Sequence, residues 1–212
     1  MAVPLEHSIL PAEGERRLTL VFLHGMGGRL RDWSFLQLAF DLPWLEVVTL
    51  QGPIPHGNGW AWFELDDKLA RTARTAFDIA DSRRRTMETL RWLDRPFENL
   101  VLGGFSQGSV VALETGLRED VPLAGILGIS GCIPNLEDYP ESFGPLATRR
   151  RILSTHGQWD KTIPIGEARD QTTALAGKGV PMELEIFDKG HTLDLEDEVP
   201  RIRRWLEGCL PT

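Results

Sequence analysis

The chain has 212 residues, 42% of them hydrophobic and 25% charged, and carries a formal net charge of −8. This length predicts a single domain over residues 1–212 with a full hydrophobic core, and the acidic balance disfavours nucleic acid or an anionic membrane as the main partner. The two cysteines, Cys132 and Cys209, exclude a disulfide-rich secreted scaffold and are expected to be free thiols. Because no signal-peptide pattern and no long apolar run occur, a cytoplasmic protein without integral membrane association is expected.

Short apolar runs predict the strands of the fold. Most of these runs are continuously apolar rather than alternating, which is typical of strands that are covered on both faces of a parallel sheet. In chain order they are Leu18–Leu23, Leu45–Leu50, Leu100–Phe105, Leu123–Ile129, Ile152–Thr155 and Met182–Phe187.

Helical spacings of apolar residues separate these runs. The predicted helices are a short one from Trp33 to Phe40, a long pattern over Lys68–Arg95, one that begins at or just after Ser106, one over Ala168–Ala176 and a final amphipathic one from Val199 to Leu206. The long pattern allows a break near Asp81 and Ser82, and the acidic run Asp194–Glu198 is interpreted as the first turn of the last helix.

Strands that alternate with helices predict an α/β fold with a mostly parallel, doubly wound sheet and right-handed crossovers. Two connections, Gly52–Asp67 and Gly131–Thr148, are long for such a fold. Long loops at the strand ends of a doubly wound sheet are where binding sites lie.

The most specific motif is Gly104-Phe105-Ser106-Gln107-Gly108, which follows a predicted strand and precedes a helical pattern. In that context Gly-x-Ser-x-Gly indicates a nucleophile elbow, a turn so sharp that only small residues fit on either side of the serine. Ser106 is therefore the predicted nucleophile. An inert serine in a glycine-rich turn is the alternative.

A serine nucleophile needs a base, and the base needs a carboxylate that orients it. His191 follows the last predicted strand and is preceded by glycine, so it can reach across the strand ends to Ser106. Asp160 follows the preceding strand, and the order Ser106, Asp160, His191 is the one expected of an α/β-hydrolase.

Other residues compete for these roles. His56, in the first long loop, is the alternative base, whereas His24 and His156 are expected to be structural hydrogen-bonding residues at strand ends. Asp188 and Asp194 are the alternative carboxylates, although loop and capping roles suit them better.

An oxyanion intermediate needs two backbone N–H donors. Gln107, directly after the nucleophile, is predicted to supply one, and Met26 in the glycine-rich loop His24–Gly28 the other. The loop is not a dinucleotide fingerprint, because Leu30 occupies the position of its last glycine. Since neither a Walker motif nor zinc-ligand spacing occurs, no cofactor and no metal are expected.

Four segments, LHGMGG, GGFSQG, HGQWDKTIP and GH, together resemble the phospholipase/carboxylesterase family of α/β-hydrolases, which includes acyl-protein thioesterases and small bacterial carboxylesterases. The resemblance runs from about Leu18 to the carboxyl terminus. It implies an α/β-hydrolase fold and allows a homodimer, and the length of the chain predicts that no large lid domain is present. It also implies the same roles for Ser106, His191, Asp160 and the amides of Met26 and Gln107 that the residues themselves indicate.

Aromatic residues near the predicted site are candidate substrate contacts, with packing against the core as the alternative. They are Trp62, Phe63, Trp60 and Trp33. The stretch Gly59–Glu64 differs from the Pro-Ser-Trp-Phe-Asp-like stretch of the thioesterases, and this difference favours a general carboxylesterase.

The expected function is therefore a serine carboxylesterase that hydrolyses small-molecule esters of short to medium acyl chain through an acyl-enzyme on Ser106. An acyl thioesterase or lysophospholipase of the same family is the alternative, because the same catalytic residues serve oxygen esters and thioesters. A hydrolase-fold binding protein without catalysis is a remote alternative.

Overall fold

The computed structural model describes residues 3–65, 73–133 and 143–211. Its strands are β1 (His7–Leu10), β2 (Leu18–Leu23), β3 (Leu45–Leu50), β4 (Ile54–His56), β5 (Gly59–Ala61), β6 (Leu100–Phe105), β7 (Gly125–Ile129), β8 (Ile152–Gly157) and β9 (Met182–Phe187). Its α-helices are α1 (Leu36–Phe40), α2 (Ala73–Trp92), α3 (Gln107–Arg118), α4 (Ile165–Gly177) and α5 (Glu198–Glu207).

The described residues form a seven-stranded sheet in the order β1-β3-β2-β6-β7-β8-β9. Only β1 runs antiparallel to its neighbour among these strands. The chain passes from β3 on one side of β2 to β6 on the other, so the carboxyl ends of β2 and β6 flank the point where the strand order reverses. Ligands of open α/β sheets bind at such a point.

Two apolar layers cover the two faces of this sheet. On one face, Ile79 and Met87 of α2, Val111 of α3 and Leu175 of α4 pack against the strands. On the other face, α1 and α5 do the same, through side chains such as Trp205. The prediction of an α/β fold with a mostly parallel, doubly wound sheet is confirmed.

All six predicted strands correspond to strands of the structure. The runs that became β2, β3, β6 and β9 match residue for residue, whereas β7 begins at Gly125 rather than Leu123 and β8 continues to Gly157 rather than ending at Thr155. Strand β1 and the hairpin of β4 and β5 were not predicted. Each is only three or four residues long and partly exposed, so none offers a long apolar run.

Three helix predictions need correction. The predicted helix Trp33–Phe40 is a 3₁₀ turn that ends at Trp33, followed by helix α1 from Leu36. Helix α2 continues unbroken through Asp81 and Ser82, because the Ser82 hydroxyl is buried and donates a 2.5 Å hydrogen bond to the carbonyl of Trp62 rather than interrupting the helix. Residues 68–72 of that predicted pattern lie outside the described residues. Helix α5 begins at Glu198 and not at Asp194. Asp194 instead closes a preceding turn by accepting the backbone N–H groups of residues 196 and 197.

The two long connections differ in what they contain. Gly52–Asp67 includes the β4–β5 hairpin, with Asp67 itself outside the described residues, and residues 134–142 of Gly131–Thr148 also lie outside them. Across residues 3–65, 73–133 and 143–211, no separate lid domain stands over the carboxyl ends of the strands. No helix in these ranges is both long and apolar enough to cross a membrane.

Candidate active site

Ser106 lies on a sharp turn between β6 and α3. Its backbone adopts φ 53° and ψ −117°, a conformation that residues other than glycine rarely adopt. A Cβ atom at Gly104 would lie 2.3 Å from the carbonyl carbon of Gly108, and one at Gly108 would lie 2.1 Å from the carbonyl oxygen of Leu23. The glycines of the motif are therefore required by close approach of the backbone, as a nucleophile elbow demands.

A continuous chain of hydrogen bonds joins the three residues that the sequence predicted to act together. The Nε2 atom of His191 lies 3.0 Å from the Oγ atom of Ser106, and its Nδ1 atom lies 2.7 Å from the Oδ2 atom of Asp160. Ser106, Asp160 and His191 follow β6, β8 and β9 respectively. Parallel strands place these carboxyl ends at one edge of the sheet, and this explains the convergence.

The charge of Asp160 fixes the tautomer of the imidazole. Burial alone would raise the pKa of Asp160, but the backbone N–H of Ile163, the imidazole of His191 and the N–H of Thr162 hold it below its usual value. The two N–H groups each lie 2.8 Å from Oδ1. Because an ionised carboxylate only accepts hydrogen bonds, Nδ1 of His191 carries the proton and Nε2 accepts the Ser106 hydroxyl.

The loop that carries Met26 packs directly against the serine. A Cβ atom at Gly25 would lie 3.4 Å from that of Ser106. Within the described part of the chain, the backbone N–H groups of Met26 and Gln107 donate to no protein acceptor. Both N–H groups therefore remain available to an oxyanion beside Ser106.

The buried side chain of His24 anchors the loop that carries Met26 through hydrogen bonds. The imidazole is buried, its Nδ1 lies 2.6 Å from the carbonyl of Gly25, and its Nε2 accepts the N–H of Gly52 at 3.0 Å. Burial lowers the pKa of His24, which keeps the ring neutral so that one nitrogen donates and the other accepts. This contact pattern is the structural role that the sequence predicted for His24.

The predicted substrate contacts of Trp62 and Phe63 need correction. Trp62 is 0% and Phe63 2% exposed, so neither offers surface to a ligand. The indole N–H of Trp62 donates to the carbonyl of His24 at 2.8 Å. The Gln107 amide holds both residues by their backbones, accepting the N–H of Trp62 at 3.1 Å and donating to the carbonyl of Phe63 at 2.8 Å. This segment supports the site from within the core.

Trp60 and Trp33 lie at opposite sides of the site. Trp60 is half-buried and exchanges backbone hydrogen bonds with the glycine-rich loop His24–Gly28. It accepts the N–H of Gly27 at 2.8 Å and donates to the carbonyl of Gly28 at 3.0 Å. Trp33 lines an open cavity of about 380 Å³ that also includes the ring of His191. Of the four predicted aromatic contacts, only Trp33 borders this cavity.

The competing residues lie elsewhere or have other partners. His56 is exposed on the β4–β5 hairpin. His156 is buried beside Asp160, and its Nε2 lies 2.8 Å from the carbonyl of Ile163. Burial lowers the pKa of His156 and keeps its ring neutral. Asp188 accepts the indole N–H of Trp159, so it is no rival to Asp160.

Lys189 and Glu198 form a buried ion pair near His191 that was not predicted from the sequence. The Nζ atom of Lys189 lies 2.7 Å from Oε1 of Glu198, 2.7 Å from the carbonyl of Thr192 and 3.3 Å from the hydroxyl of Ser130. Burial lowers the pKa of Lys189, and the carboxylate of Glu198 opposes that shift. These contacts tie the loop that carries His191 to α5 and to the end of β7. A lysine beside Gly190-His191 was the one available signal.

The cysteines are free thiols, as predicted. Burial raises the pKa of Cys132 and that of Cys209 to about 12 each. Both thiols therefore remain protonated at neutral pH.

A mostly parallel sheet with a serine on its strand-to-helix turn is an α/β-hydrolase fold, and comparison with known proteins defines the family. The Phospholipase/Carboxylesterase family model matches residues 6–210, and the chain belongs to that family, as its motifs predicted. Acyl-protein thioesterase 1 of Schizosaccharomyces pombe is 26% identical over 181 residues, which cover 77% of this chain and 78% of that protein.

Two further similarities bear on activity. A rice (Oryza sativa subsp. japonica) protein named "Probable inactive carboxylesterase" is 27% identical over 208 residues, covering 90% of this chain and 84% of its own. The solved structure of esterase PE8 matches with a TM-score of 0.84 and 27% identity, covering 98% of this chain and 100% of that one. The family as a whole supports a hydrolase, while the rice protein's name shows that the fold alone does not guarantee one.

Proposed function

We propose that this protein is a serine carboxylesterase that hydrolyses short- to medium-chain carboxylic esters through an acyl-enzyme on Ser106. The observation that carries the proposal is the hydrogen-bond chain from Ser106 through His191 to Asp160, with distances of 3.0 and 2.7 Å. Family membership supports the same chemistry.

In the first half-reaction, Oγ of Ser106 attacks the ester carbonyl carbon while Nε2 of His191 takes its proton. The carbonyl oxygen becomes an oxyanion that accepts the N–H groups of Met26 and Gln107. When the carbon–oxygen bond to the alcohol breaks, His191 returns the proton to the departing oxygen. Asp160 holds Nδ1–H and stabilises the imidazolium between these transfers.

In the second half-reaction, a water molecule takes the place of the alcohol. His191 removes one proton from the water as its oxygen attacks the acyl carbon, and then delivers that proton to Oγ of Ser106 as the acid leaves. No net proton, electron or cofactor is consumed on the protein, so free Ser106 is regenerated.

The proposal is tested by hydrolysis of p-nitrophenyl acetate and butyrate. We expect Ser106→Ala to lower kcat by about 10⁴-fold or more, because among the described residues the Ser106 hydroxyl is the one that contacts Nε2 of His191. Ser8→Ala, on the edge strand β1, is the matched control and should retain activity. Substantial activity in Ser106→Ala would refute the assignment.

Acyl thioester hydrolysis is the second candidate, favoured by the relative that is named an acyl-protein thioesterase. Lysophospholipase activity, which cleaves the acyl oxygen ester of a lysophospholipid, is the other alternative within the family. A series of acyl chains from C2 to C16, measured as both esters and thioesters, separates these candidates. A binding protein without catalysis is the remote candidate, and failure of a fluorophosphonate probe to label Ser106 in the folded protein would favour it.

The remaining expectations follow from this proposal and stay predictions. We propose one domain over residues 1–212 that acts on small-molecule esters in the cytoplasm, without nucleic acid as a partner. A homodimer is allowed by the family resemblance, and sedimentation at several protein concentrations would test it.

A further inference from the structure

A row of contacting aromatic rings lines the cavity beside His191 and ends at the imidazole ring. The rings of Trp33 and Phe105 lie 5.1 Å apart, and the ring of Phe105 lies 4.9 Å from that of His191. Phe35 stacks on the outer side of Trp33 at 5.8 Å. At about 380 Å³, the cavity has the size of a small-molecule site. We call it the imidazole groove.

The walls of the imidazole groove are mostly apolar, and Asp32 and Thr192 are the polar residues that line it beside His191. Leu193 and Leu195 line the groove together with Phe35, and 41% of Phe35 and 60% of Leu195 is exposed. Apolar side chains left exposed next to a reactive centre indicate a surface that an apolar ligand covers. The groove is therefore suited to an uncharged alkyl or aryl group.

The position of the groove decides which half of an ester it can hold. Its lining includes His191 but not Ser106, Met26 or Gln107. The oxyanion must point towards the two amides, whereas the leaving oxygen must come within hydrogen-bond reach of Nε2, which protonates it. A group attached to the leaving oxygen therefore extends along the imidazole.

We propose that the imidazole groove is the subsite for the alcohol part of the substrate, and that it selects esters of apolar alkyl or aryl alcohols. The proposal rests on the proposed esterase function. It adds that specificity for the alcohol and specificity for the acyl chain reside in different parts of the site, with Phe35 and Leu195 contacting only the alcohol.

The test uses two substrate series that vary one half of the ester at a time. The first contains ethyl, butyl, hexyl and octyl butyrate, whose alcohols have similar acidity, so their different rates report binding rather than leaving-group chemistry. The second contains ethyl esters of acids of the same lengths. Acid release measured at constant pH gives kcat/KM for each. For the wild type we expect a rise of roughly two- to four-fold per methylene along the alcohol series until the groove is full.

The variants Phe35→Ala and Leu195→Ala should flatten the alcohol series while leaving the slope of the acyl series unchanged. We expect the preference for octyl over ethyl butyrate to fall at least about five-fold in each. Leu38→Ala is the matched control, since Leu38 is 84% exposed on α1 and lies outside the groove lining.

Two results would overturn the proposal. If the variants flatten the acyl series instead, the groove holds the acyl chain; if neither slope changes, substrate does not enter it. Either result leaves the esterase assignment intact, because the Ser106→Ala comparison and probe labelling of Ser106 test that assignment separately.

Discussion

Replacing Lys189 with methionine should damage both stability and catalysis, because this lysine anchors the loop that carries His191. Methionine keeps an unbranched side chain but removes the charge and all three donors. The substitution leaves Glu198 without its cation in a site where the two side chains are 2% and 0% exposed. It also leaves the carbonyl of Thr192, 2.7 Å from Nζ, without this donor.

The expected loss is large because the abandoned carboxylate stays buried. Removing one partner of a buried ion pair costs about 3–5 kcal/mol, a large share of the 5–15 kcal/mol that typically stabilises a protein. Arg84 is the matched comparison, since its side chain is 53% exposed and pairs with Asp81 at 2.6 Å and Glu88 at 2.7 Å on the surface of α2. Arg84→Met should cost at most about 1 kcal/mol, since solvent screens an exposed pair.

Urea unfolding measures the stability change, and hydrolysis of p-nitrophenyl butyrate measures the catalytic one. The double variant Lys189→Met/Glu198→Gln should be more stable than Lys189→Met alone, because a neutral amide replaces the unpaired charge and still offers an oxygen to the N–H of Asp194. We expect kcat/KM of Lys189→Met to fall by up to about 10²-fold as His191 shifts. A loss below about 1 kcal/mol, with no relief in the double variant, would refute this reasoning.

Three further predictions test other parts of the structure. Gly108→Ala places a Cβ 2.1 Å from a backbone oxygen and should lower kcat/KM by about 10²-fold or more. In Gly166→Ala the new Cβ meets nothing within 4 Å, so this variant should instead raise the free energy of unfolding by about 0.4–1 kcal/mol. Equal effects of the two variants on kcat/KM would contradict the elbow geometry. Cys209, which is buried and has a pKa of about 12, should react with a thiol reagent at pH 8 only after unfolding, whereas Cys132, which is partly buried with its pKa also raised to about 12, should react slowly in the folded protein. Rapid labelling of both thiols in the folded protein would contradict this. Burial would raise the pKa of Glu46, but hydrogen bonds from Arg95 and Thr19 hold it below the usual value. Glu46 therefore stabilises the fold at pH values above its unfolded pKa, and this contribution is lost as pH falls through its folded pKa. The stability difference between wild type and Glu46→Gln should therefore be present at pH 7 and shrink below about pH 4; a difference that stays constant down to pH 3 would contradict it.

The sequence predicted those features that depend on local pattern. Predominantly apolar runs located the inner strands, because burial on both faces leaves few polar positions in them, such as Thr19 in β2 and Glu46 in β3. The elbow was also local: Gly104 and Gly108 are dictated by contacts within a few residues and with one adjacent strand. Parallel strands then bring their carboxyl ends to one edge, which is why chain order alone placed Ser106, Asp160 and His191 together.

Features that depend on contacts between distant segments were missed. Trp62 and Phe63 look like pocket residues in the sequence, and only the Gln107 amide, more than 40 residues away, shows that their backbones are held inside the core. Lys189 reads as a surface charge until Glu198 and Ser130 are seen around it. The β4–β5 hairpin did have a local signal, the two-residue turn Gly57-Asn58, although its strands are too short to be apolar runs.

Gln107 connects the turn that carries Ser106 to the segment Gly59–Glu64, and this connection bears on how the sequence of that segment is interpreted. Its backbone N–H is the proposed oxyanion donor, while its side chain holds the backbone N–H of Trp62 and the carbonyl of Phe63. Since every residue type other than proline offers these two backbone groups, the contacts place little restriction on the residues before Trp62. The lead-in Gly59–Ala61 packs on the loop that carries Met26 through backbone contacts, since Trp60 exchanges hydrogen bonds with Gly27 and Gly28 and a Cβ at Gly59 would lie 2.0 Å from the carbonyl oxygen of Gly27. Its difference from the thioesterase stretch therefore concerns loop packing and is weak grounds for excluding a thioester. The exposed walls of the imidazole groove are where the choice of leaving group is made.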